Sequence, residues 1–216
     1  MSLKLYFHPL ASFCWKALIA FYENDTPFEP HIVNLGDENE RAEFLKLWPI
    51  GKFPVLRDEG KSLTIPESSV IIEYLASRYP GHLQLVPDDV DLAREVRLRD
   101  RVFDLYIHEP MQRIVADRLR PADSKDPFGV DETRAKLRTA LDLIDNDMAS
   151  RTWAAGGAFT MADCAAAPAL FYANQVMPFG NTHPNAMRYL DRLTARPSFV
   201  RVLEEAKPYF ALFPSE

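Results

Sequence analysis

The sequence predicts an α/β domain followed by an all-helical bundle domain. Three observations carry this. Apolar runs of strand length alternate with helix-period segments as far as Tyr79. A turn-rich stretch containing Pro80, Gly81 and Pro87 follows. Beyond it the apolar patterns have helical period. The expected divisions are 1–80, a linker at 81–89, and a helical half at 90–216. A length of 216 residues corresponds to about 1.4 units of roughly 150 residues, which suits one large or two small domains.

Each element has a local reason. Leu3, Leu5 and Phe7 alternate along a first strand. After Pro9, a helix from about Phe13 to Glu23 places Cys14, Ala17, Leu18 and Phe21 on one stripe. A second strand is expected between Phe28 and Leu35, starting after Pro30 because proline cannot donate to a ladder. Asn39 to Leu47 suggests a short helix with Phe44, Leu45 and Leu47 inward. Val55–Arg57 and Ser62–Ile65, joined by Asp58-Glu59-Gly60-Lys61, read as a hairpin. Glu67 to Tyr79 is helical, with Val70, Ile71, Tyr74 and Leu75 on its buried stripe. This order, β-α-β-α-β-β-α, is a thioredoxin-like pattern.

In the second half, Asp91 to Arg120 reads as one long helix or two end to end, with Pro110 kinking or breaking it at Glu109. A polar loop at 121–130 precedes a helix at 131–150 with Leu137, Leu141 and Ile144 as its seam. Helices at 160–175, 185–194 and 197–209 complete the chain.

Composition narrows the function. A net charge of −6 and a pI near 5.4 argue against a general nucleic-acid binder. No apolar run approaches the roughly 20 residues of a membrane span, and the N-terminus does not read as a secretory signal. The two cysteines, Cys14 and Cys164, form neither a disulfide framework nor a redox pair, so a reducing cytoplasm is the default setting. The five histidines show no paired ligand spacing, so no metal is expected.

Few residues remain as carriers of chemistry. Ser12 closes the first strand-to-helix turn, where a helix N-terminus favours anions. It either donates to a bound thiolate or caps the helix. Cys14 is reactive if exposed at that terminus and inert if packed on the apolar stripe. Pro49 to Leu56 holds a proline directly before a strand; a cis Phe53-Pro54 bond would turn the backbone of Val55 outward toward a peptide-like ligand. Glu67-Ser68 opens a helix, where it either holds the charged end of a ligand or caps. Thr160-Met161-Ala162-Asp163 has capping-box spacing, with Asp where Glu or Gln is usual.

Together these pieces resemble the soluble glutathione transferase superfamily. The resemblance covers essentially the whole chain. It rests on Leu3–Phe7 followed by Ser12, on Gly51-Lys52-Phe53-Pro54-Val55-Leu56, on Ile65-Pro66-Glu67-Ser68 running into Ile71-Ile72-Glu73-Tyr74-Leu75, and on Phe159 to Asp163. It implies an enzyme whose first domain binds glutathione as co-substrate. Ser12 matches the position that contacts the sulfur. Lys52 and Val55, with the Phe53-Pro54 pair, match residues holding the glycyl and cysteinyl parts. Glu67 and Ser68 match those holding the γ-glutamyl end. It also implies a pocket for a small hydrophobic electrophile against Leu10, Phe103, Tyr106, Ile107 and Phe171, a detoxifying role, and a homodimer. Trp48 stands where Asn is common in the family, and either inserts into the partner or packs locally. Ser69-Val70 replaces the more usual x-Ala. The sulfur position varies among subfamilies, so Cys14 is the alternative there. Two other readings stay open: a decayed, protein-binding relative, and a glutathione-dependent isomerase or thiol reductase. A reductase calls for Cys where Ser12 stands.

Overall fold

The computed structural model describes residues 3–214; residues 1, 2, 215 and 216, which the two expected domains also span, lie outside it. The first half is a four-stranded sheet in the order β2-β1-β3-β4, made of β1 (Leu3–Phe7), β2 (Glu29–Ile32), β3 (Val55–Asp58) and β4 (Leu63–Pro66). β1 runs parallel to β2 and antiparallel to β3, and β3 runs antiparallel to β4. Three helices accompany it: α1 (Ser12–Glu23), α2 (Glu38–Leu47) and α3 (Ser68–Arg78). This is the thioredoxin-like arrangement.

The second half is helical. α4 (Val90–Val102) runs through a π-helical turn (Phe103–His108) into α5 (Glu109–Arg118). Then come α6 (Pro127–Met148), α7 (Met161–Val176), α8 (Pro184–Thr194) and α9 (Pro197–Ala206), with a closing 3₁₀ turn at Lys207–Leu212.

Several expectations shift. β2 begins at Glu29 and takes in Pro30, which is tolerated because β2 is an edge strand. α2 buries Phe44 alone, and Leu45 is exposed. In α3, Val70 is 52% exposed while Ile72 is buried, so the inward stripe is Ile71, Ile72 and Leu75. Pro110 does not break the helix. The ladder widens just before it, with the Glu109 N–H reaching back to the Asp104 carbonyl, and Pro110 continues inside the next helix. α6 begins at Pro127 rather than 131, because Asp126 accepts from the Gly129 N–H and proline suits a first helical turn.

α1 joins the two halves. It packs against α3 on one side and against α7 and α9 on the other. Cys14, Ala17, Leu18 and Phe21 are buried as the stripe predicts, and so are Trp15, Ile19 and Ala20 on the remaining faces. A helix buried all round is a core helix. Two charged residues go in with it. Lys16 is fully buried, and its ammonium lies 2.5 Å from Asp100 Oδ1, 2.7 Å from Asp104 Oδ2 and 2.8 Å from Ser69 Oγ. Glu23 accepts from Arg196 at 2.7 and 2.5 Å and from the Ser198 hydroxyl at 2.5 Å.

Two further buried carboxylates fix local turns. Asp58, at the end of β3, accepts from the Tyr74 hydroxyl at 2.6 Å and from the Tyr79 hydroxyl, tying α3 to the hairpin; these bonds hold its carboxyl below the usual carboxylate range. Asp163 completes the capping box of α7. It accepts from the Thr160 and Ala154 N–H groups, each at 2.8 Å, and from the Tyr189 hydroxyl at 2.5 Å.

Lys16→Met should destabilise the protein by about 3–5 kcal/mol, because it leaves Asp100 and Asp104 buried without their central cation. Asp163→Ala should cost roughly 3–5 kcal/mol by stranding two buried N–H groups and a buried hydroxyl. Urea denaturation of each variant beside wild type checks both values. A loss below about 1 kcal/mol would show that these contacts do not hold the fold.

Candidate active site

The turn between β1 and α1 is held from both sides. The Trp15 indole N–H donates to the Pro9 carbonyl, and the Tyr172 hydroxyl of α7 donates to the Leu10 carbonyl at 2.8 Å. Ala11 occupies the N-cap, so Ser12 is the first helical residue and does not cap α1. Its buried hydroxyl oxygen lies 2.9 Å from Nδ1 and 3.1 Å from Nε2 of His108, the last residue of the π turn.

Two cavities meet here. One, of about 270 Å³, is polar on one side. It is lined by Lys52, Phe53, Pro54, Glu67, Ser68 and Arg101, with Phe13, Asp104 and Leu105 nearby. The other, of about 200 Å³, is mainly apolar, formed by Leu10, Ser12, Met111, Val115, Tyr172 and Phe213. His108 and Gln112 line both.

The polar cavity gathers residues distant in sequence. The Phe53-Pro54 peptide is cis, and Val55 opens β3 opposite Tyr6 and Pro66 with its side chain buried. Glu67 has φ of 70°, a left-handed conformation unusual for a non-glycine residue and a recurrent feature of ligand-holding turns. It precedes Ser68, which is buried at the first position of α3. The guanidinium of Arg101 lies against Asp104 at 2.5 Å and Asp100 at 2.8 Å, at the edge of the same cavity.

Not every expected residue reaches the site. Leu10 lines the apolar cavity. Phe103 and Ile107 lie in the helical core, Tyr106 is 58% exposed on the outer face, and Phe171 packs among Trp15, Phe199 and Phe210. The π turn changes which residues of this helix face inward, so side chains spaced for a regular helix face other ways. Met111, Val115, Leu212 and Phe213 take their place. Cys14 is fully buried, and desolvation pushes its thiol far above the ordinary range, so it lacks the setting of a reactive thiolate. Trp48 is half-buried and packs on a small second core of Val33, Phe44 and Val55. Among the described residues no cluster suited to a metal ion is found.

His108 is the residue that sequence reasoning missed. A lone histidine without ligand spacing gives no signal. Burial, followed by the charge of Lys16, lowers its pKa to about 3, so the ring is neutral. The Phe13 ring packs edge-on against it at 4.1 Å.

Fold and site define a two-domain protein: a thioredoxin-like unit and a helical unit share a cleft with a charged end and an apolar end. The comparisons name its family. The model of the glutathione S-transferase N-terminal domain matches residues 5–82, and that of the C-terminal domain matches 127–192. Glutathione S-transferase GstB of Escherichia coli K12 is 28% identical over 87% of this chain and 91% of its own. A glutathione S-transferase structure from Rhodospirillum rubrum is 30% identical, with a TM-score of 0.79 over 93% of this chain and 91% of that one. One from Methylobacterium radiotolerans, solved in complex with glutathione sulfonate, is 27% identical, with a TM-score of 0.82 over 94% of each chain. The chain belongs to the glutathione S-transferase family.

The neutral His108 carries a stability signature. The unfolded chain binds a proton near pH 6.5, whereas the folded ring resists it until about pH 3. Its contribution is therefore intact above pH 6.5 and declines as pH falls through that window, by about 1.4 kcal/mol per pH unit. Denaturant unfolding between pH 7 and 4 should show a shallower acid-side loss in His108→Asn than in wild type.

Proposed function

We propose that this protein conjugates the thiolate of glutathione to small hydrophobic electrophiles, with Ser12 as the residue that meets the sulfur. The observation that carries this reading is the position of Ser12. It stands at the N-terminus of α1, where a charged, peptide-sized cavity opens into an apolar one.

Each part of the tripeptide has a chemical counterpart. Glu67 suits the γ-glutamyl ammonium. Ser68, at the start of α3, suits its carboxylate. Lys52 suits the glycyl carboxylate, and the backbone of Val55 after the cis proline suits the cysteinyl amide. A free thiol of pKa near 8.5 is mostly protonated at neutral pH; a hydroxyl donor at a helix N-terminus favours the thiolate. The thiol proton leaves to solvent. The thiolate pair then forms the sulfur–carbon bond, and a leaving group departs with its electron pair or an activated alkene takes up a proton. The electrophile lies against Leu10, Met111, Val115 and Phe213. Both reactants held side by side supply much of the rate gain. The burial of Cys14 favours Ser12 over Cys14 as the working group and weighs against thiol–disulfide exchange.

The same reading includes a homodimer and a cytoplasmic, glutathione-containing setting. Val70, Leu98, Leu105 and Tyr106 expose apolar surface on α3 and on the helix running from α4 through the π turn, which supports a self-association face. Both cysteines are free and buried, which suits a reducing compartment. Among the described residues no helix is long and apolar enough to cross a membrane.

Glutathione should bind with measurable heat and raise the melting temperature. Ser68→Ala should weaken binding by about 1.5–3 kcal/mol, the worth of a hydrogen bond to a charged group. Ser12→Ala should leave affinity nearly intact while raising the thiol pKa of the bound peptide and slowing conjugation of an aryl halide. No heat and no thermal shift at millimolar glutathione would support the decayed, protein-binding alternative.

A further inference from the structure

We propose that the space between α2 and the sheet is a ligand site outside the cleft, and that it takes a protonated aromatic amine. The cavity there measures about 460 Å³, more than either half of the cleft, and shares no lining residue with them. This site does not depend on the transferase reading.

Its origin is how little α2 buries. Of the ten residues of α2 only Phe44 is buried, and the core beneath it is just Val33, Phe44 and Val55. Close-packed interiors leave few voids larger than a water molecule. Here the helix stands clear of the sheet, with Tyr6, His31 and Val33 on one side of the gap and Phe44 and Leu47 on the other. Pockets for organic ligands have this size and a mainly apolar lining, with a few polar groups that set orientation.

Floor and rim differ in chemistry, and together they name the ligand. The Tyr6 ring lies 4.7 Å from that of His31 and 6.3 Å from that of Phe44. Rings so placed suit a flat aromatic body packed offset or edge-on. The rim is Asn39, Glu40 and Glu43, all on α2. Among the described residues no lysine or arginine lines the cavity. Lys46 reaches Glu43 at 2.5 Å, but both side chains are more than 70% exposed, and such a pair holds weakly enough to yield to a ligand. Glu40 accepts from the Asn34 N–H at 2.8 Å through Oε2, which leaves Oε1 for another donor. Lys4, over the Tyr6 ring at 5.6 Å, is engaged by Glu29 at 3.0 Å. Two carboxylates beside three rings favour a cation with an aromatic body and disfavour an anion.

The test titrates 2-naphthylmethylammonium, 2-naphthylmethanol and 2-naphthoate into the full chain by calorimetry at pH 7.5. The ammonium should bind with a Kd of roughly 0.1–1 mM. The alcohol should bind about threefold more weakly and the carboxylate about tenfold. Glu40→Gln/Glu43→Gln should weaken the ammonium by about three- to tenfold and leave the alcohol unchanged. Tyr6→Leu should weaken both by about threefold. Val115→Trp, which fills the apolar half of the cleft, and Glu67→Gln, in its polar half, should bind the ammonium as wild type does. Melting temperatures check that each variant folds, and the exposed Glu40 and Glu43 keep the test intact if Tyr6→Leu does not. Affinity indifferent to ligand charge would overturn the proposal and leave only an apolar void. So would ammonium binding that survives the double glutamine variant but is lost in Val115→Trp or Glu67→Gln, which would place the ligand in the cleft. No saturable heat from the ammonium up to about 5 mM would overturn it as well.

Discussion

α1 is the one element that both halves of this protein use as core. Lys16 sits at its centre without solvent, and such a cation is tolerable only with charged partners in place. Those partners, Asp100 and Asp104, come from the other domain, and Ser69 comes from the start of α3. One ammonium thus fixes three elements at one point. Glu23, near the far end of the helix, repeats the device with Arg196 and Ser198. The two contacts leave α1 little freedom to slide or rotate relative to the helical domain.

The site inherits its geometry from that constraint. Ser12 lies one turn from Lys16, so fixing the lysine fixes the hydroxyl. Asp104 lies one turn before His108 in the π turn, so the same ion pairs set the ring that Ser12 meets. Ser69 follows Ser68, which places the charged end of the cavity in the same network. The cleft is therefore an inter-domain feature whose two walls are held at a set distance by buried charge. Tyr172 adds a further tie by holding the Leu10 carbonyl in the turn before Ser12.

Much of the polar end was legible in sequence because it is built from short, local signals. The proline before a strand and the Glu-Ser pair opening a helix each announce themselves within a few residues. The apolar end was not. Phe103, Ile107 and Phe171 look as suitable for a pocket as Met111, Val115 and Phe213, and only packing decides between them: Phe103 and Ile107 are buried in the helical core, and Phe171 packs among Trp15, Phe199 and Phe210. Leu45 and Val70 fit an inward stripe as well as Phe44 and Ile72 do, yet they lie on open faces.

By itself the sequence determined the class of fold and the order of elements, since these depend on periodicity, turn chemistry and helix ends. It also marked the capping box at Thr160 and Asp163, a contact made within one helical turn. Tertiary structure alone decided that Cys14 is inert, that Ser12 meets His108 and does not cap its helix, and that a lysine can be buried in the first helix. Each of these turns on what a second domain places against α1. Partners 84 to 96 residues away in the chain leave no trace in local pattern, because desolvation and charge pairing are set by distance in space.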